Sequence, residues 1–119
     1  MNVEAIGRNL HDSVAVVGAA QSGLAPAVEA LAPGAAALGL TIVADPWASH
    51  RLWLLGDHGR FREHGVPILY LFNGQHGDLH RPGDESRKIA VDAVARVARF
   101  VALVARALTA SPSPQGAAP

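Results

Sequence analysis

Apolar positions along this chain fall into short blocks separated by Gly and Pro. Val3–Ile6 is a brief, partly apolar block closed by Gly7. Ser13–Val17 (Ser-Val-Ala-Val-Val) is β-branched and closed by Gly18, and both blocks predict strands. Ser22 is of N-cap type and opens a helix predicted to run to Leu38, with Leu24, Val28, Leu31 and Leu38 as its apolar stripe. Pro33-Gly34 should break or kink that helix, and Gly39 should stop it. Leu40–Val43 predicts a third strand.

Asp45–Gly56 carries Pro46, Trp47, His50 and Trp53 and predicts a loop, with both Trp as packing residues that cover it. His58–His64 predicts a short helix stopped by Gly65. Val66–Phe72 is a continuous apolar run, as in a strand buried on both faces, with Pro67 near its start. Asn73–Gly83 is a loop rich in Gly and His. Val91–Leu108 is the clearest helix: Val94, Val97, Ala98, Val101, Val104, Ala105 and Leu108 share a face, and Arg96, Arg99 and Arg106 line the flank. Strands interleaved with helices predict an α/β fold built as a partial three-layer sandwich. Residues 1–109 are read as one domain. Residues 110–119, Ser/Pro/Gly/Ala-rich from Ser111 onward, are read as a disordered tail.

Composition sharpens this picture. In 119 residues, 50% are hydrophobic and 17% charged, which suits one globular core of small aliphatic side chains. Ten basic and ten acidic residues cancel, which argues against a nucleic-acid partner. No apolar run approaches the roughly 18 residues of a membrane span. Glu4 falls where a signal peptide would be basic, and no apolar segment follows it, so no signal peptide is expected and the compartment stays undetermined. The chain has no cysteine but six His, which turns attention to imidazole chemistry.

Two clusters could carry that chemistry. In His76-Gly77-Asp78-Leu79-His80, an extended backbone would set two imidazoles and a carboxylate on one side, as suits a single zinc site; a solvated polar loop is the alternative. In Gly56-Asp57-His58, Asp57 and His58 are either a helix cap with a surface His or a pair that orients a substrate or ligand. Asp84 is expected to cap a helical turn. His11, His50 and His64 have no evident partner and are expected on surface or loop.

These segments occur in a familiar order. Asn2-Val3-Glu4-Ala5-Ile6-Gly7-Arg8-Asn9, Arg51 to Phe61 with its Gly56-Asp57-His58-Gly59-Arg60-Phe61, Gly65-Val66-Pro67 with its buried run, Gly74 to Asp84, and Ala95 to Phe100 together resemble the zinc-dependent exopeptidases of the aminopeptidase Y and bacterial leucyl aminopeptidase family. Glutamate carboxypeptidase II and glutaminyl cyclase are relatives. The resemblance spans Asn2 to Leu108 and implies the C-terminal half of the zinc aminopeptidase (phosphorylase/hydrolase-like) fold, with a mixed sheet.

It further implies two zinc ions about 3.5–4 Å apart that share a bridging carboxylate and activate a water for attack on an N-terminal peptide bond. In that frame, Glu4 and His80 are metal ligands, whereas Asp57, His58, His76, Asp78 and Asp84 line or shape the site. Gly56, Leu79 and Gly83 replace the usual Ser, Tyr and Thr, and Leu54 and Leu55 stand where Tyr and Arg are common. The family's His-x-Asp ligand motif and its Glu-Glu pair, which holds the general base, are expected upstream of Met1. The chain alone then has no catalytic residue. Partners implied are a peptide substrate and either an N-terminal half or another copy of the chain. Many relatives are exported. The alternative reading is a non-catalytic remnant, an oligomerising or binding module that keeps the fold.

Overall fold

A computed structural model describes residues 1–9 and 12–110. His11 and the tail expected from Ser111 onward lie outside the described residues. The chain runs β1 (Asn2–Glu4), β2 (Ser13–Val17), α1 (Ala25–Glu29), α2 (Ala32–Ala37), β3 (Thr41–Ala44), α3 (Gly56–Glu63), β4 (Tyr70–Phe72) and α4 (Val91–Ala110). Single 3-10 turns at 48–50, 52–54 and 86–88 interrupt the loops.

The four strands form one mixed sheet in the order β1-β4-β2-β3. β1 runs parallel to β4, and β3 parallel to β2, while β2 and β4 are antiparallel. The β2–β3 pair is joined by a helical crossover, as parallel neighbours require. β2 and the stretch from Ile68 to Phe72 are buried throughout, which explains their unbroken apolar sequence.

Alternate side chains of the central strands feed two packing layers. On one face Val14, Val16, Leu69 and Leu71 meet Val28 of α1, Ala35 of α2, and Val97, Phe100 and Val104 of α4. Removing each aliphatic side chain from water contributes about 1.5–3 kcal/mol. On the other face Val17, Tyr70 and Phe72 pack under Trp47, Leu52 and Trp53, beside α3. Both Trp are therefore packing residues, as expected.

Several boundaries differ from the sequence-based expectation, each for a physical reason. The helix expected from Ser22 to Leu38 is two helices, each with a Pro at its first or second position, where the missing N–H costs nothing. Ser22 caps neither. Its hydroxyl donates to Ile68 O and accepts from Ile68 N–H, which ties the 18–23 turn to the approach of β4. Gly18 is required there: its φ is +84°, and a Cβ would sit 2.3 Å from Ile68 Cδ1.

β1 ends at Glu4 because Ala5 turns to φ +50°. The run from Val66 becomes strand only at Tyr70, with Val66 exposed. On α4 the buried residues are Ala93, Val97, Phe100 and Val104. The stripe is thus rotated toward Phe100, and Ala98 and Ala105 face solvent.

Candidate functional site

Two motifs that are far apart in sequence meet on the outer face of the sheet. Residues i and i+2 of a strand share a face, so Asn2 and Glu4 stand side by side. Asn2 Nδ2 donates to Glu4 Oε1 at 2.8 Å and to His58 Nδ1 at 3.0 Å. His58 Nε2 lies 2.8 Å from Leu52 O. Because the Leu52 carbonyl only accepts and the Asn2 amide nitrogen only donates, His58 carries its hydrogen on Nε2. Tyr70 OH donates to Glu4 Oε2 at 3.2 Å. Burial, and then the Glu4 carboxylate, push the Tyr70 phenol above its ordinary value, which keeps it a donor.

An aromatic row continues this cluster along the sheet. His58 stacks on Tyr70 with centroids 4.3 Å apart, Tyr70 stacks on Phe72 at 5.1 Å, and Trp47 meets Phe72 edge-on at 5.2 Å. At the far end of the row opens a cleft of about 820 Å³. Its apolar walls are Trp47, Leu52, Leu55 and Phe72, and its polar rim is Arg8, Asn9, His50, Asn73 and Gln75. Glu4 pairs in backbone register with Phe72, a cleft wall, while its carboxylate is held by Asn2 and Tyr70 and does not line the cleft. The cleft lies outside the C-terminal ends of β1 and β4, where open α/β sheets place ligands.

The loop after β4 is shaped by an ion-pair clamp. Arg8 binds Asp84 through Nη1 at 2.5 Å and Asp78 through Nη2 at 2.6 Å, and Lys88 Nζ adds a bond to Asp78 at 2.9 Å. The Lys88 and Arg8 hydrogen bonds hold the Asp78 carboxyl below its ordinary value. His76 is nine-tenths buried, with Nε2 3.8 Å from Asp84. Asn73, which is 1% exposed, donates to Asn9 O and Ser13 O and fixes the start of the loop.

Several residue-level expectations change. The His76–His80 stretch is not extended but a set of turns, with Leu79 N–H bonded to His76 O and Arg81 N–H to Asp78 O. Its three polar side chains therefore do not share one side: the His76 ring is nine-tenths covered, Asp78 is salt-bridged and His80 is exposed with φ +60°. Asp84 makes no cap; the 86–88 turn has Glu85 at its N-cap and no side-chain cap bond. Asp57 is exposed in the first turn of α3 and makes no cap bond either. His58 is buried rather than on the surface.

Sequence reasoning also missed Asn2, Tyr70 and Arg8. The i, i+2 spacings Asn2/Glu4 and Tyr70/Phe72 are the signal that places those pairs on common faces. Structural zinc takes four ligands and catalytic zinc three plus water. Among the described residues, no group of three or more His, Asp or Glu side chains is placed to hold a metal ion. Glu4 and His80 alone do not fit a di-zinc centre. No helix among the described residues is long and apolar enough to cross a membrane. No protein-family model, curated protein or solved structure matches the chain.

Proposed function

We propose that this chain is the C-terminal part of a metallo-aminopeptidase acting on N-terminal peptide bonds, and that it has no catalytic activity by itself. It contributes Glu4 and His80 to a zinc site whose other ligands and general base come from a segment outside these 119 residues. The observation that supports the reading is the backbone register of Glu4 with Phe72, which links the strand of the candidate ligand to one wall of the cleft. The cleft falls in the range of about 300–1,000 Å³ usual for small-molecule sites. Its Trp47, Leu52, Leu55 and Phe72 walls suit the apolar side chain of an N-terminal residue. The ordered run of five family-like segments supports the same reading.

Zinc titration followed by NMR tests it. Zinc is expected to perturb amides around both Glu4 and His80, and His80→Ala to remove that response. A response confined to His50 or His64, or one unchanged in His80→Ala, would overturn it.

A second reading, the oligomerising or binding module, is favoured by the β1 edge. Among the described residues β1 has no strand on its outer side, and Met1, Val3, Phe61 and Val66 near it are exposed. Such an edge is a template for pairing with another chain. Sedimentation of the purified chain distinguishes a monomer from this assembly.

A further inference from the structure

A second cleft, of about 540 Å³, opens on the other half of the sheet and has no part in the metal reading. It lies past the C-terminal ends of the parallel strands β2 and β3, between the Gly18–Gln21 turn, α1 and the start of the 45–50 segment. That crevice is a favoured ligand position in open α/β sheets. Its walls are small and apolar: Ala19, Ala25, Ala32 and Ala44 leave the room, and Val28 and Ile42 floor it.

Its charge is one-sided. Glu29 and Asp45 both line it, and among the described residues no Lys, Arg or His does. Asp45 Oδ1 accepts the Trp47 N–H at 2.9 Å, while its buried Oδ2 has no hydrogen-bond partner among the described residues. That oxygen has no surface open to the cleft, so Asp45 acts on a ligand there through the charge of its carboxylate rather than through Oδ2 as a direct acceptor.

We propose that this cleft binds a small hydrophobic amine, an alkyl- or arylalkyl-ammonium ion. The hydrocarbon body occupies the alanine-lined space, and the ammonium group donates to Glu29 within the field of the Asp45 carboxylate. An ammonium carries three donors and no acceptor, which matches two carboxylates with no competing cation. A carboxylate or phosphate ligand meets like charge on both polar walls. The inference does not depend on zinc or on Glu4 and His80.

The test is an NMR titration of the full chain with hexylammonium chloride, with 1-hexanol and sodium hexanoate as matched controls. Saturable shifts are expected in residues 18–29 and 42–48, with 1-hexanol at least about fivefold weaker and hexanoate without effect. Glu29→Gln, at an exposed position, and Asp45→Asn, which keeps an oxygen for the Trp47 N–H, should each weaken hexylammonium binding toward the 1-hexanol value. Equal affinity for hexylammonium and 1-hexanol overturns the proposal. So does the absence of a saturable shift, or a response centred on the Trp47–Phe72 cleft.

Discussion

The imidazole of His58 lies flat on the phenol ring of Tyr70, with centroids 4.3 Å apart and planes inclined by 22°. This contact fixes α3 to β4, and both ring nitrogens of His58 are engaged, one by Asn2 and one by Leu52 O. The His is thereby a spacer that holds β1, α3 and the 52–54 turn in one arrangement, with Glu4 at its edge.

His58→Ala removes a 95%-buried ring and leaves the Leu52 carbonyl without its donor. The lost packing and hydrogen bonds should destabilise the fold by about 2–4 kcal/mol. Urea unfolding measures this; a loss under about 1 kcal/mol would mean that the stack is not structural.

Asp78 gives a pH signature. Its folded value lies below the ordinary value of about 4, because Lys88 and Arg8 bond the charged form. Its contribution to stability is therefore fully present above about pH 4 and is lost as pH falls through the lower, folded value. Asp78→Asn should be less stable than the parent at pH 7, with the gap closing toward pH 2–3. Denaturant midpoints at both pH values read this out; a gap independent of pH contradicts the clamp.

Gly59 sits where the first turn of α3 passes the 52–54 turn, and a Cβ there would lie 2.2 Å from Leu54 O. Ala is favoured over Gly in a helix by about 1 kcal/mol, whereas a clash against backbone costs about 3 kcal/mol. The clash wins, so Gly59→Ala should lower stability by about 2 kcal/mol. Thermal unfolding is the check, and a stabilised variant would refute the close approach.

Much of the scaffold is legible in the sequence, because local pattern and burial agree there. Ser13–Val17 is β-branched and fully buried, and the strand has the expected ends. The C-terminal helix follows its 3.6-residue period, yet Phe100, its largest fully buried residue, is not on the expected face. A stripe of Val and Ala is broad enough to admit two rotations, and only the packing against Leu69 and Leu71 chooses between them.

The site was less legible because its bonds are long-range. Nothing near Asp78 or Asp84 in sequence announces Arg8, 70 and 76 positions away. Nothing near Glu4 announces Tyr70. The i, i+2, i+4 spacing of His76, Asp78 and His80 means a shared side only in extended backbone, and the turns at 76–81 remove that premise. The corresponding spacing in β1 does hold, and Asn2 and Glu4 meet there.

The most direct measurement of the account is zinc bound per chain by mass spectrometry after metal dialysis, made beside an assay on leucine p-nitroanilide. Two candidate ligands predict less than one tightly held zinc per chain and no hydrolysis. Two zinc ions per chain with turnover would contradict the claim that the chain alone is incomplete.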